Sequence, residues 1–308
     1  MASSLHLQTA FCQWGGVAFG AQFNTLWQVE SGYIETSDEL CRLRRSKYVQ
    51  SNNHNAYKNV LKFLKEGRTV LFTGNPCQCL ALRKFLHRDF ENLYIVDVVC
   101  HGVPSPMVWE RYLNEVSNKF DERKEEIVDI KFKYKDNKKY IWRHPGFRID
   151  WKDGKTFEVF SNETSYENGY LGNLFVRPSC HSCKIKSLSS SSDITIGDFW
   201  GVEDVCPSLF DDDGVSIALI QTEKGQKLFD AVKDTFTLHP ISIEDATKHN
   251  QRIVVSPLPH RNRNSFFEEL SSDHSINNIV NKCLAPNKKS LHYVKGQLIK
   301  HIKSIVKH

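Results

Sequence analysis

The chain has 308 residues, of which 40% are hydrophobic and 25% are charged, and its formal net charge is +5. This composition is typical of a globular protein of about two domains. The small net charge gives little support to nucleic-acid binding, and no apolar run approaches the roughly 18 to 20 residues of a membrane span. The N-terminus lacks the pattern of a signal peptide, so we expect a cytoplasmic protein.

The first predicted elements surround a pair of glycines. No clear element is predicted before Gly15 and Gly16. A strand follows over Val17–Phe23, and a second strand is expected near residues 26–29. The amphipathic pattern of residues 56–66 then predicts a helix. Small residues in the first strand leave room for a ligand to approach the backbone closely.

Strands and helices alternate between residues 69 and 120. The apolar runs predict strands over 69–73 and 93–99 and helices over 78–86 and 105–120. This order predicts a parallel sheet covered by helices. Sheets of this kind bind their ligands at the carboxyl ends of the strands.

The pattern changes at residue 127. Alternating apolar and polar residues predict an antiparallel meander inserted at 127–160. The later elements are, in order, a helix near 167–175, strands over 193–196 and 215–221, a helix over 222–234, short helices beyond 253 and a basic tail at 288–308. The predicted fold class is therefore α/β, with a helix-covered and mostly parallel sheet, an inserted antiparallel meander and a small helical C-terminal region.

The nine cysteines point to the chemistry. An odd number spread over a long chain favours metal or redox chemistry over a disulfide scaffold. Cys77 and Cys100 each follow a predicted strand, while Cys180 and Cys183 form a Cys-x-x-Cys pair. A helix N-terminus favours the thiolate form of Cys77. Cys79 is a rival for Cys77, but it is expected to point to the buried face of its helix.

Four thiolates suit either zinc or an iron–sulfur cluster, and their spacing alone does not choose between the two. Structural zinc sites usually take two close pairs of ligands. Here only one close pair is present, which favours a cluster held between layers. Two loop thiols without a metal, or a redox pair, remain alternatives for Cys180 and Cys183.

Several other residues are weaker candidates. The backbone N–H groups of Gly15 and Gly16, and of the turn at Gly74, Asn75 and Pro76, are able to approach a phosphate or a flavin ring, although plain tight turns explain them too. Lys47 is a candidate to neutralise a pyrophosphate, and His101 is a candidate proton donor. Asp198 needs a partner near the cysteines. Each of these polar side chains also has an alternative, purely structural role. The serine-rich run at 187–192 predicts a flexible loop.

Six stretches together resemble the beta-subunit family of coenzyme F420 hydrogenases and dehydrogenases, which includes many bacterial relatives encoded near polysaccharide-synthesis genes. The stretches are residues 15–23 (GGVAFGAQF), 46–51 (SKYVQS), 74–78 (GNPCQ), 97–106 (DVVCHGVPSP), 177–184 (RPSCHSCK) and 192–201 (SDITIGDFWG). Because several motifs occur in the same order, the resemblance is far more specific than one Cys-x-x-Cys pair.

The resemblance implies an iron–sulfur flavoprotein that moves electrons between a [4Fe–4S] cluster, FAD and a deazaflavin such as F420 or another organic acceptor. Cys77, Cys100, Cys180 and Cys183 match the cysteines expected to hold the cluster. The residues that match stretches expected near the flavin are Gly15, Gly16, Lys47, Gly74, Asn75, Pro76 and Gln78, to which we add Asp198. His101 and Lys47 are the candidate proton donors.

The resemblance also sets expectations for organisation and partners. Residues 1–50 would be a truncated N-terminal part of the flavin-binding region, 51–221 the catalytic domain and 222–308 a helical region. Family members commonly carry an N-terminal ferredoxin-like module, which is incomplete here, so we expect a separate ferredoxin or other electron-transfer protein as partner. Arg45 and Asn75 depart from the family's usual glycine and threonine. The alternative is a zinc- or cluster-stapled, non-catalytic partner in polysaccharide biosynthesis.

Overall fold

The computed structural model describes residues 2–136 and 138–285. The predicted basic tail at 288–308 lies outside the described residues, as does the helix face predicted from the spacing of four apolar residues. Those residues are Leu291, Val294, Leu298 and Ile302.

The described chain alternates helices and strands before ending in short helices. The helices are α1 Ala2–Gln13, α2 Ala56–Lys65, α3 Pro76–Leu86, α4 Pro106–Lys119, α5 Ser165–Leu171, α6 Val202–Val205, α7 Glu223–Asp230, α8 Ile243–Lys248, α9 Arg263–Glu269 and α10 Ile276–Leu284. The strands are β1 Val17–Phe23, β2 Val29–Ile34, β3 Val70–Gly74, β4 Leu93–Val98, β5 Ile127–Tyr134, β6 Gly146–Trp151, β7 Thr156–Phe160, β8 Ile194–Asp198 and β9 Ser216–Ile220.

The strands form two sheets. The larger sheet has the order β2-β1-β3-β4-β8-β9, in which β1, β3, β4 and β8 are parallel and the edge strands β2 and β9 are antiparallel. The smaller sheet is the antiparallel meander β5-β6-β7. The predicted α/β class, with its mostly parallel sheet and inserted meander, is confirmed.

Both faces of the larger sheet are covered, because neighbouring side chains of a strand point to opposite faces. Leu71 packs on the face covered by α1 and α7, whereas Phe72 packs on the face covered by α2 and α3. A third core joins α4, the meander, α5 and α10 around Trp109. The Trp109 indole N–H donates to the Trp27 carbonyl at 2.8 Å, which ties this core to the turn before β2.

Two predictions at the N-terminus are wrong. Helix α1 occupies a segment where no element was expected, and its buried side includes the polar Gln8, whose amide donates to Thr73 at 3.2 Å. Strand β2 starts at Val29 instead of residue 26, because the side-chain oxygen of Asn24 accepts the backbone N–H groups of Leu26 and Gln28 and holds a turn there.

The predicted domain boundaries remain predictions. Strands β1 and β2 precede residue 50, yet β1 pairs directly with β3 in the larger sheet. Strand β9 ends just before the predicted boundary at residue 221, and the Thr222 hydroxyl then donates to Asp193 at 2.8 Å. The larger sheet therefore contains strands from both sides of the predicted boundary at residue 50, and a side-chain hydrogen bond crosses the predicted boundary at residue 221.

Candidate functional site

The four predicted metal ligands line one cavity. Cys77, Cys100, Cys180 and Cys183 all border a space of about 360 Å³ at the carboxyl ends of β3 and β4. The cavity is half-open to solvent, and all four thiols are free. The position agrees with the general rule that open α/β sheets bind ligands where their parallel strands end.

Cys77 is held by the tight turn between β3 and α3. The backbone N–H of Asn75 donates to the Gln78 side-chain oxygen at 3.0 Å, and the Gln78 amide donates to Ser51 at 2.7 Å and to Asn53 at 2.8 Å. This reciprocal cap starts α3 at Pro76, two residues before the predicted start. Cys77 therefore sits in the first helical turn.

The expected thiolate character of Cys77 is not found. Partial burial and the neighbouring Cys180 and Cys183 raise the pKa of its thiol, and nearby backbone N–H groups lower it by less. Cys79, the rival ligand, is fully buried, with its sulfur 4.0 Å from the Val96 carbonyl oxygen, and it does not line the cavity. The prediction that Cys79 faces the core is confirmed.

Cys100 follows β4 and is more enclosed than Cys77. Burial raises the pKa of its thiol to about 12, although the Lys186 amine beside it acts in the opposite direction. The same amine donates hydrogen bonds to the carbonyl oxygens of Cys100 and Arg252. Lys186 thus ties one side of the cavity to the segment after α8.

Cys180 and Cys183 come from a short 3-10 turn at Pro178–Ser182. The Cys180 backbone N–H donates to the Arg177 carbonyl at 2.9 Å, and the Cys183 N–H donates to the Ser256 hydroxyl at 3.1 Å. Nδ1 of His181 lies 2.9 Å from the Pro257 carbonyl, which only accepts, so this nitrogen carries the proton. Residues 256 and 257 therefore hold the turn that carries both thiols.

Apart from the thiols, most of the ionisable side chains that line the cavity are basic. They are Arg177, Lys184, Lys186 and Arg252, and Asp97 is the single acidic residue among the described residues that line the space. Such a surplus of positive charge suits a group that carries several thiolates.

His101 also lines the cavity and is fixed on two sides. Its Nε2 lies 2.8 Å from the Asn173 side-chain oxygen, and its ring packs edge-on against Tyr170 at 5.2 Å between centroids. The Tyr170 hydroxyl donates to the Gly102 carbonyl at 2.9 Å. Burial lowers the pKa of His101, which favours the neutral imidazole with its proton on Nε2.

The structure does not bring Gly15 and Gly16 to this cavity. Gly16 lies beside Thr69, just before the parallel pair of Val17 and Val70. Gly74 ends β3 at the opposite edge, about 16 Å away for five residues of strand. Gly16 instead borders a second cavity of about 260 Å³. The flavin-binding role expected for Gly15 and Gly16 remains a prediction.

Lys47 and Asp198 also lie outside the residues that line the cavity. The Lys47 amine donates to the Arg44 carbonyl at 2.7 Å, and burial and Arg45 lower its pKa to about 8. Asp198 has a partner in Lys133, whose amine lies 2.6 Å from its carboxylate.

Sequence reasoning missed several residues of the cavity wall. Asp97 could have been predicted, because it belongs to the same motif as Cys100. No feature of the sequence around Lys186 or Arg252 indicates that they line the cavity. The serine-rich run at 187–192, which was predicted to be a flexible loop, is held by hydrogen bonds. Ser190 donates to Asp97, and the Leu188 carbonyl accepts from Gln221 at 2.9 Å.

Four thiols are a donor set that suits either zinc or an iron–sulfur cluster. Within residues 2–136 and 138–285, no group of three or more His, Cys, Asp or Glu side chains is arranged to hold a single ion. The four thiols line a shared space: Cys180 and Cys183 help to raise the pKa of Cys77, and Cys77 and Cys180 help to raise the pKa of Cys100. Their chemistry fits a polynuclear iron–sulfur group, for which four thiolates are the usual ligands.

Fold and cavity together define an α/β protein with a thiol-lined site at the carboxyl edge of its sheet. The family model for the C terminus of the coenzyme F420 hydrogenase/dehydrogenase beta subunit matches residues 67–245, more than half of the chain, and the chain belongs to this family. The predicted resemblance is thereby confirmed. Family membership supports an oxidoreductase role at the level of protein class.

Solved structures support the fold. A chain in the structure of the F420-reducing [NiFe] hydrogenase complex from Methanosarcina barkeri, determined with xenon derivatization, is similar with a TM-score of 0.51. It is 18% identical, and the alignment covers 86% of this chain and 84% of that chain. No curated protein matches in the corresponding search. In the part of the chain that the structure describes, no helix is long and apolar enough to span a membrane.

Proposed function

We propose that the chain is an electron-transfer oxidoreductase subunit in which Cys77, Cys100, Cys180 and Cys183 hold a [4Fe–4S] cluster. The observation that carries the proposal is that four cysteines from three separate stretches line one cavity. A flavin is proposed to bind at the same edge of the sheet, next to the turn formed by Gly74, Asn75, Pro76 and Gln78. An F420-like or other organic molecule would be the acceptor.

When bound, a cluster supplies one-electron steps and a flavin exchanges them for two-electron chemistry. The protein's own part begins with the thiols. A thiol with a pKa of about 12, as at Cys100, keeps its proton at neutral pH, so binding iron releases that proton. The Lys186 amine beside Cys100 then favours the thiolate.

Proton handling is assigned to His101. Asn173 and Tyr170 hold the imidazole against the cavity, and the hydrogen bond to Asn173 keeps the proton on Nε2. Lys47 is left out of this role because its amine is bonded to backbone carbonyls away from the cavity.

Partners follow from the same arrangement. A ferredoxin or another electron-transfer protein is the proposed source of electrons. The basic residues Arg177 and Lys184 are exposed beside the thiols, which supports an acidic protein surface as the counterpart.

The test is anaerobic purification followed by an absorbance spectrum and by iron, sulfide, zinc and flavin analysis. About four irons and four sulfides per chain, with flavin bands, are expected for the proposed function. Stoichiometric zinc without iron or flavin would overturn it and favour the zinc-stapled, non-catalytic alternative.

A further inference from the structure

We propose that Val254, Val255 and Leu258 form the apolar centre of a docking surface for an acidic electron-carrier protein, beside the thiol-lined cavity. The charged part of this docking surface consists of three exposed cations, Arg177, Lys184 and Arg261. The assignment rests on the proposed function and deepens it, because it names the surface that receives the partner and the chemistry of that partner.

The apolar centre is exposed. Leu258 is 77% exposed, Val255 47% and Val254 43%. In the part of the chain that the structure describes, Leu258 is the most exposed of the large apolar side chains. A single exposed apolar side chain is normal, whereas three within five residues form a group of the kind that marks an interaction site.

The same segment is bonded to the turn that carries two of the thiols. The Ser256 hydroxyl accepts from the Cys183 backbone N–H at 3.1 Å, and the Pro257 carbonyl accepts from His181 Nδ1 at 2.9 Å. Ile253, which precedes the exposed valines, is buried and lines the cavity. A protein bound at the docking surface therefore lies next to the thiols of this turn.

The charge of these segments has one sign. Residues 168–192 and 246–267, which include the thiol-bearing turn and the apolar centre, contain no aspartate or glutamate. Their lysines and arginines are Arg177, Lys184, Lys186, Lys248, Arg252, Arg261 and Arg263. Arg177 and Lys184 also line the cavity, and Arg261 is three residues from Leu258, so their Cα atoms are at most about 11 Å apart.

This charge selects the occupant of the surface. The chain's own segment 286–308 contains six lysines and no acidic residue, so it is repelled, and a second copy of the chain presents the same positive surface. An acidic partner complements the charge. An apolar centre with charged surroundings is the usual arrangement of protein interfaces, and electron-transfer encounters are the small ones, below about 1,200 Å².

The experiment uses an acidic recombinant 2[4Fe–4S] ferredoxin as probe, titrated anaerobically into the whole protein by calorimetry. Leu258→Ser is expected to weaken binding about 10-fold, because its side chain no longer buries apolar surface in the complex. The high exposure of Leu258 means that this change leaves the core intact. Leu26→Ser, at a 55% exposed leucine in the turn before β2, is the matched control and should bind like wild type.

The charge is tested separately with Arg261→Gln. This variant is expected to bind about 3-fold more weakly at low salt and like wild type at high salt, because ions screen exposed charges. Lys58→Gln, at an exposed position of α2, is the control and should not change the affinity. Equal ferredoxin binding by Leu258→Ser and wild type would overturn the docking surface. Binding of wild type to phosphatidylserine vesicles but not to ferredoxin would overturn it in favour of a membrane surface.

Iron and sulfide are measured on the same samples to separate the two proposals. A full complement of iron without ferredoxin binding overturns the docking surface alone. Binding that depends on Leu258 in a protein without iron supports the docking surface and overturns the proposed cluster.

Discussion

Cys77 and Cys79 are close in sequence but lie in different environments. The two residues are two positions apart on α3, and successive side chains of a helix are turned by about 100°. Cys77 consequently borders the cavity, while Cys79 is fully buried against β4. Helical geometry predicted this difference from the sequence, whereas the raised pKa of Cys77 arises from burial and, to a lesser degree, from thiols that are about a hundred residues away in the chain.

Replacing one thiol of the cavity should remove the metal. We expect Cys180→Ser to lose most of its iron, because a hydroxyl is a poor substitute for a thiolate ligand. Cys206→Ser is the control, since Cys206 is partly buried but does not line the cavity. Iron and sulfide per chain, measured after anaerobic purification, should stay at the wild-type value in the control. Full iron content in Cys180→Ser would contradict the ligand assignment.

Glu167 should make stability depend on pH. Burial raises the pKa of its carboxyl to about 7, and Ser161 and Lys133 only partly oppose this. The folded protein thus holds this proton more tightly than the unfolded chain, whose pKa is near 4.5. The contribution to stability is full below pH 4.5 and is lost as the pH rises to about 7.

Glu167→Gln should remove this dependence, because the amide does not titrate. At pH 8 we expect the free energy of unfolding to rise by up to roughly 3 kcal/mol relative to wild type, with little change at pH 4.5. Urea unfolding at both pH values checks this, with exposed Glu244→Gln as the control. Parallel pH curves for Glu167→Gln and wild type would refute the role of Glu167.

At the scale of helices and strands, the sequence predicts those elements whose limits depend on neighbouring residues in the chain. Strand β5 begins at residue 127, where the meander was predicted to begin, and the strand, turn and helix around Gly74 follow from an apolar run, a glycine and a proline. Helix α1 was missed because its buried side contains a polar glutamine that bonds to a distant threonine. Such a contact has no local signature in the sequence.

The turn before α3 depends on one side chain. Gln78 accepts from Asn75 and donates to Ser51 and Asn53, so Gln78→Ala removes three hydrogen bonds. We expect the free energy of unfolding to fall by about 2 kcal/mol, and iron content to fall because Cys77 loses its fixed position. Urea unfolding and metal analysis provide the measurements. Lys84→Ala, at an exposed position of the same helix, should have little effect; an equal loss there would argue against the cap.

At the scale of the whole molecule, the site depends on contacts across long stretches of chain. Strands β4 and β8 are neighbours in the sheet although the meander and α5 lie between them in sequence, and their pairing places Asp97 beside Thr195. The family motifs predicted which cysteines belong together. They did not predict that Gly16 lies at the opposite edge, because edge position is set by the direction of β1 in the sheet.

Lys186 joins the distant parts of this site. Its amine donates to the carbonyls of Cys100 and Arg252, which belong to different segments of the cavity wall. We expect Lys186→Met to lower the free energy of unfolding by roughly 2 kcal/mol, because two partly buried carbonyls lose their donor. The variant should also lose iron faster during anaerobic gel filtration.

Lys184→Met is the matched control for Lys186→Met. Lys184 borders the same cavity two residues away, but it is exposed. Removing its charge changes the electrostatics of the cavity without breaking the connection between Cys100 and Arg252. If Lys186→Met and Lys184→Met lose iron and stability equally, positive charge alone explains the effect. A larger loss in Lys186→Met shows that the cavity depends on joining β4 to the segment after α8.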